Sequence, residues 1–379
     1  MRTLSASALA VLLFTIISGA PTAQQQPLSE VVRPIEPPRT AFPSEPDSAA
    51  ESRFSFIAYG DTREDQNGFE VQKRHGRVMD MMLSKIKELS STRYPVRFAI
   101  QSGDAVTRGN EPARWGSFVS IIERMTLEGG IPLFFSVGNH DVTGRPQGDP
   151  LRLIGLQHTM TAFSKLIPPE DSERRLRGFP TYSVGYGNMF VIALDSNIAE
   201  DTAQLAWVTR QLETVDRTRY KHIIATFHHP PLSSGPHGGD LVEPPTATIR
   251  RLYMPLFRRH HVAMTITGHE HLLDHYVERY DDGGKTHRMD HIVTGGGGAP
   301  TYTFKSEPNL DLYVKMAAPQ KTRIEHLLRP SARIDGNPLH FYIIRVDDDK
   351  LSLEVVGVDA GPTIYLPYKR PRVELHEGS

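Results

Sequence analysis

The 379-residue sequence has no cysteine, a formal net charge of only −1 at pH 7, and no long apolar run outside its first residues. Without cysteine there can be no disulfide, lipid-modified cysteine or thiolate ligand, so any metal site must be built from nitrogen and oxygen donors. Near-neutral charge excludes a global attraction to nucleic acid or anionic lipid and argues against a long nucleic-acid groove. With 39% hydrophobic and 23% charged residues, the chain has enough apolar material for a sizeable core and too little charge for a disordered polymer. No internal repeat is visible, and the basic cluster Arg174-Arg175-Leu176-Arg177 reads as surface.

What is present begins with Met1-Arg2-Thr3 and a short apolar core over residues 8–17, followed by small residues at Gly19, Ala20 and Ala23. This pattern predicts a secretory signal over residues 1–23, and hence an exported protein, periplasmic or secreted. The core is too short for a comfortable membrane span. An uncleaved N-terminal membrane anchor is the alternative. Residues 24–52 are rich in Pro, Gln, Ser and Glu and predict a disordered or extended linker. A single domain is expected over 53–360, with a C-terminal tail over 361–379.

Within the domain, apolar runs alternate with helical periodicity. Strands are predicted at 54–59, 97–101, 131–137, 181–184, 189–194, 222–227, 262–266, 290–294, 341–346 and 351–356. Between the first two, Val71, His75, Val78, Met82, Ile86 and Leu89 recur at helical spacing, which turns His75 inward. Further helices are expected through Trp115 to Met125, Leu205 to Leu212 and Ile249 to Phe257. Segments of about 142–180, with some helix around Met160 to Leu166, and 299–337 read as insertions. The fold class is therefore α/β, with a mainly parallel central part and antiparallel additions that end in a C-terminal β-hairpin.

Five of the predicted strands stop at polar clusters: Gly60-Asp61, Gly103-Asp104, Gly138-Asn139-His140-Asp141, His228-His229-Pro230-Pro231 and Gly268-His269-Glu270-His271. In α/β sheets ligands bind beyond the carboxyl ends of the strands, so these residues are expected on one rim. Two Asp, one Asn and at least three His form a mixed donor set that suits Zn, Mn, Fe or Ni and is too large for one tetrahedral ion. Two ions fit. Paired ions activate a water and neutralise the oxygens of an in-line displacement, which points to phosphoryl transfer.

In their order and strand-end placement the five motifs resemble the calcineurin-like metallophosphoesterase family, including its purple acid phosphatase branch, over roughly 54–298. The resemblance implies a β-sandwich flanked by helices, a dinuclear metal centre and a metal-bridged hydroxide acting on a phosphate ester. It implies that Asp104 bridges the two ions, with Asp61 and His271 on one and Asn139, His228 and His269 on the other. His140 would then be a general acid or hydrogen-bond donor oriented by Asp141, and Glu270 would point away from the metals. His229 is expected beside the ligands or in the core.

One departure concerns the ion of Asp61 and His271. Many members of the family carry His two residues after the first Asp, where this chain has Arg63; purple acid phosphatases carry Tyr three residues after the second Asp, where it has Thr107. His75 and a water are the candidates to compensate, His75 also being readable as a core histidine. Arg63 is expected at the substrate rim, clamping phosphate, or in a structural ion pair. The run Gly295 to Gly298 lacks the Lys and Ser/Thr of a P-loop and reads as a turn that brings backbone close to the site.

The expected function is a phosphomonoesterase or phosphodiesterase acting on a small-molecule phosphate ester, with no nucleic-acid or membrane partner indicated. The alternatives are a nucleotide pyrophosphatase or nuclease, and a non-catalytic binding module that retains the fold.

Overall fold

Apolar strands need partners on both edges and cover on both faces, and this chain meets the demand with two sheets. The computed structural model describes residues 31–64, 71–238 and 242–358, and the backbone of 373–377. The expected signal and most of the expected tail lie outside the described residues. In chain order the strands are β1 (Arg53–Tyr59), β2 (Val96–Gln101), β3 (Leu133–Phe135), β4 (Tyr182–Tyr186), β5 (Met189–Ala193), β6 (His222–Thr226) and β7 (Met264–Thr267). They continue with β8 (Leu273–Asp282), β9 (Lys285–Thr294), β10 (Arg323–Leu328), β11 (Leu339–Asp347), β12 (Lys350–Val358) and β13 (Val373–Glu377).

One sheet has the order β13-β12-β11-β1-β2-β3 and the other β10-β8-β9-β7-β6-β5-β4. Parallel pairing joins β1 to β2 and β2 to β3 in the first sheet, and links β5, β6, β7 and β9 in the second. The rim expected of a single sheet is thus shared by two. Phe56, Phe98 and Phe134 fill the space between them, with Phe56 stacked on Phe98 at 5.2 Å. Polar pins cross it too: Ser136 Oγ donates to Thr226 Oγ1 at 3.1 Å and Tyr342 Oη to the Val293 carbonyl at 3.2 Å.

Helices cover the outer faces. Helix α1 (Lys73–Leu89) buries the stripe Val78, Met79, Met82, Ile86 and Leu89, as its periodicity predicts. Helix α2 (Pro112–Glu123) starts on a proline, which fits the first turn because its missing N–H has no partner there anyway. Helix α3 (Pro150–Phe163) is longer than its sequence suggests, because its buried face carries Arg152, Gly155 and Thr159 instead of an apolar stripe. Arg152 is neutralised by Asp195 at 2.6 Å. Helix α4 (Thr202–Thr214) is capped by Asp201, whose carboxylate accepts from Ala203 N and Gln204 N.

Two expectations are refined. Of the two readings of the linker, disordered or extended, the described part from residue 31 follows the second and packs on the domain. Its prolines keep it extended, and its apolar side chains dock singly: Ile35 is fully buried, contributing about 2 kcal/mol, and Phe42 stacks on Tyr186 at 5.0 Å. Glu45 fixes its far end by accepting from Arg174 Nε at 2.7 Å and Tyr220 Oη at 2.7 Å, so that arginine is an anchor and not free surface.

No strand was expected between His271 and Asp290 or inside the 299–337 insertion, yet β8 and β10 lie there; they lack apolar alternation because their interior is polar. Glu278 is buried among Arg258, His291 and Tyr313 at 2.9, 3.0 and 2.6 Å, and Asp274 accepts from Ser234 N and His326.

Candidate metal centre

The five strand-end motifs meet, as expected, where β1, β2, β3, β6 and β7 run out. Asp61, Asp104 and His269 all have left-handed backbone, with φ of 57°, 56° and 68°. Such a conformation costs a residue with a Cβ on the order of 1 kcal/mol and persists only where the surroundings impose it. Here the loops hold one another: Asp61 N donates to Gly103 O at 2.9 Å and Gly268 N to His228 O at 3.0 Å. Gly103 has φ +108°, and a Cβ on it would lie 2.7 Å from both Gly138 N and His228 Nδ1. The glycine run after β9 approaches the same loops: Gly297 N donates to Gly60 O at 2.8 Å, and a Cβ there would lie 2.3 Å from that oxygen.

On one side stand Asp104, Asn139, His228 and His269. His228 Nδ1 lies 2.8 Å from the Ser102 carbonyl, which can only accept, so Nδ1 carries the proton and Nε2 presents a lone pair. His269 Nε2 lies 2.9 Å from the Glu243 carboxylate, so its lone pair is on Nδ1. These two lone pairs converge on Asn139 Oδ1 at 2.9 and 3.1 Å, and His228 Nε2 is 3.3 Å from Asp104 Oδ1. Burial pushes the His228 imidazole down to about 4, which keeps it neutral at physiological pH. Four acceptor atoms therefore meet without a proton between them, an arrangement that fits a cation. Donor atoms of Asp61, Asp104 and His228 lie within 4.8 Å of one another, so the residues fit a transition metal with nitrogen and oxygen ligands.

The other side, expected to hold the second ion, is arranged differently. His271 Nδ1 donates to the Pro300 carbonyl at 2.8 Å, leaving an Nε2 lone pair 3.5 Å from Asp61 Oδ1. Between His271 and Asp104 lies Arg63, with Nη2 3.3 Å from His271 Nε2 and Nε 3.2 Å from Asp104 Oδ2. Arg63 is 8% exposed. Its contact with Asp104 is the structural ion pair of the two expected placements. Burial opposes the charge on Asp104, but His228, His140 and Arg63 hold its carboxyl well below the usual carboxylate range; burial and the neighbouring Asp104 push Asp61 up.

His140 lies beside the centre, partly exposed, with Nε2 4.0 Å from Asp104 Oδ2. Its ring is oriented by the Thr107 carbonyl, 2.8 Å from Nδ1. The expectation that Asp141 orients it is corrected: the Asp141 carboxylate is buried beneath the loops and accepts from Asp104 N, Ala105 N and Gly138 N at 2.8 to 2.9 Å. Main-chain N–H groups with no other partner claim that carboxylate first. His75, weighed as a compensating ligand, is a core histidine. Its ring stacks on Phe118 and lies near Tyr59, Gln72 meets Nδ1 at 2.8 Å, and burial pushes its pKa down to about 3. His229 packs beside His269 at 4.5 Å, and its Nδ1 is 2.8 Å from Ser196 Oγ.

Sequence reasoning missed three residues at the site. Glu243 holds the His269 ring. His237 lies 4.7 Å from that ring, and Glu270, pointing away from Asn139 and Asp104, accepts from His237 N at 2.7 Å. The Glu270 carboxylate, 3.2 Å from His237 Nδ1, holds that imidazole above its ordinary pKa. Tyr302 stacks on His271 at 4.3 Å. All three sit in loops without periodicity, and only the position of 230–245 and 299–337 beside the motifs hinted at them. A cleft of about 390 Å³ opens beside the centre, lined by Thr107, Arg108, Asn139, His140 and Arg145 among others.

The calcineurin-like phosphoesterase family model matches residues 77–273, over half of the chain and four of its five motifs. The chain belongs to the calcineurin-like phosphoesterase family. Among solved structures it is similar to purple acid phosphatase PPD1 from yellow lupin (Lupinus luteus) seeds, with a TM-score of 0.57 at 17% identity over 83% of this chain and 53% of the lupin chain. It is also similar to GAP50, the anchor in the inner membrane complex of Plasmodium, with a TM-score of 0.50 at 17% identity over 87% of this chain and 90% of that one. The chain thus spans about half the length of the lupin protein. These likenesses bear out the helix-flanked two-sheet metallophosphoesterase fold.

Proposed function

We propose that this member of the family is a metal-dependent hydrolase of small phosphate esters, with its ion held by Asp104, Asn139, His228 and His269. The observation that carries the reading is the convergence of four lone-pair atoms, two of them histidine nitrogens whose rings commit their protons elsewhere, to Ser102 O and Glu243. When bound there, a transition metal supplies polarisation of a phosphoryl oxygen and acidifies a coordinated water.

The remaining work falls to side chains. His140 presents Nε2 to the cleft while the Thr107 carbonyl takes the Nδ1 proton, so that as the imidazolium, with a proton on each nitrogen, it would donate from Nε2 a hydrogen bond to a phosphoryl oxygen or a proton to the leaving oxygen. Arg108 and Arg145 line the same cleft and favour an anionic substrate. The volume of about 390 Å³ suits a small ester.

The test is hydrolysis of p-nitrophenyl phosphate and of its bis ester by the full chain with added Mn, Zn or Fe. Turnover should vanish with chelator and return with one of these ions, and the preferred ester assigns mono- or diesterase activity. A chain that binds none of these ions and cleaves neither ester would overturn the reading.

A further inference from the structure

Two ions were expected, yet the two halves of the centre differ in one respect: on one side the histidine lone pairs meet only the oxygens of Asn139 and Asp104, and on the other they meet a cation that the chain itself supplies. We propose that the Arg63 guanidinium takes the place of an ion at Asp61 and His271, so that the chain holds one metal ion, at the Asn139, His228 and His269 side. The proposal rests on the metal reading of the centre given above.

The argument is one of paired donors and acceptors. With its Nδ1 proton committed to Pro300 O at 2.8 Å, His271 offers Nε2 only as an acceptor, and Arg63 Nη2 is the donor 3.3 Å away. Arg63 Nε satisfies Asp104 Oδ2 at 3.2 Å, the oxygen opposite the one that faces His228. A guanidinium cannot be deprotonated in a protein, so the position stays positive at every pH and a divalent ion beside it would meet a fixed like charge. Burial to 8% exposure, the Asp104 and His271 contacts and the nearby Asp61 charge leave the side chain little freedom to swing out. One of the two carboxylate charges is thereby balanced by a cation that is part of the chain, with no ion to lose. On the Asn139 side the corresponding positions belong to His228 and His269, both aimed lone pair inward.

The geometry gives Arg63 a positioning role, because it acts through Asp104 and His271. Full-length protein grown and dialysed with Mn should carry one ion per chain by elemental analysis and native mass spectrometry. Its electron paramagnetic resonance should show the hyperfine pattern of an isolated ion, without the broadening of an exchange-coupled pair. Arg63→Lys, which keeps the charge, should still carry one ion, whereas Arg63→His should gain a second. His271→Ala should retain the single ion, and His228→Ala should lose it. Two ions in the unaltered chain, or loss of the ion in His271→Ala, would overturn the proposal even if Arg63→His failed to fold. Two ions with hydrolysis intact would defeat this inference alone. No ion and no hydrolysis would defeat the proposed function with it.

Discussion

The carboxylate of Glu243 lies 2.9 Å from Nε2 of His269, on the side of the ring away from Asn139. That contact fixes the tautomer and raises the basicity of the nitrogen that faces the centre. Partners of this kind change metal affinity by about 10- to 100-fold when removed. Glu243→Ala is therefore expected to weaken Mn or Zn binding by about that factor. Titration against a competing chelator measures it, and an unchanged affinity would show that Ser102 and His228 alone order the donors.

His140 contributes only its backbone N–H to the donor set, 2.9 Å from Asp104 Oδ1, while its ring faces the cleft. His140→Ala should keep its metal content and lose turnover by about 10²- to 10⁴-fold, the usual range for one proton donor. Kinetics and elemental analysis on the same preparation separate the two effects. Loss of metal and activity together would move His140 from substrate contact to ligand support.

Asp141 is expected to behave as a structural residue. Its removal leaves Asp104 N, Ala105 N and Gly138 N buried without an acceptor. Each such group costs about 1–3 kcal/mol, so Asp141→Ala should destabilise the metal-free protein by on the order of 3 kcal/mol or more. Urea unfolding with chelator present reads this directly. A stable variant with a shifted pH profile would instead restore the role of orienting His140.

Acid sensitivity should come in part from two histidines away from the cleft. Burial pushes His75 down to about 3 and His340 to about 4, from an ordinary value of 6.5. Above pH 6.5 both are neutral in either state and contribute no pH dependence. As pH falls below 6.5 the unfolded chain takes up protons that the folded chain refuses, so stability declines until about pH 4 for His340 and pH 3 for His75. Each contributes at most about 1.4 kcal/mol per pH unit. Melting temperatures of the metal-free protein at stepped pH should fall over this window, and His75→Phe should make the decline shallower. An equal slope in the variant would assign the effect elsewhere.

The parts of the molecule legible in sequence were those where one physical demand dominates. An apolar strand that ends at a polar rim leaves its mark as an apolar run followed by Gly and Asp or His, which is why Asp61, Asp104, Asn139, His228, His269 and His271 could be placed together. Where two demands overlap, the mark disappears. Strand β8 is buried yet carries Asp274, His275 and Glu278, since its interior is held by hydrogen bonds between polar side chains and by the Arg258–Glu278 ion pair as well as by apolar contact. Helix α3 hides Arg152 and Thr159 on its inner face for a similar reason. Pro-rich composition made residues 31–52 look disordered or extended, because single docked side chains such as Ile35 leave no periodicity to read. Arg63 stood out as a departure from the family pattern, but its contacts with Asp104 and His271 join residues 41 and 208 positions apart and leave no local mark.

The absence of cysteine takes on a second meaning beside the way the centre straddles the fold. Asp104 and Asn139 follow strands of one sheet, and His228 and His269 follow strands of the other. An ion joining them would serve as a staple between two layers that no disulfide can tie, closing long stretches of chain much as a covalent cross-link does. Chelation should then be felt first as slippage between the layers. Hydrogen exchange should quicken at the ends of β3 and β6, where Ser136 meets Thr226, before either sheet melts on its own.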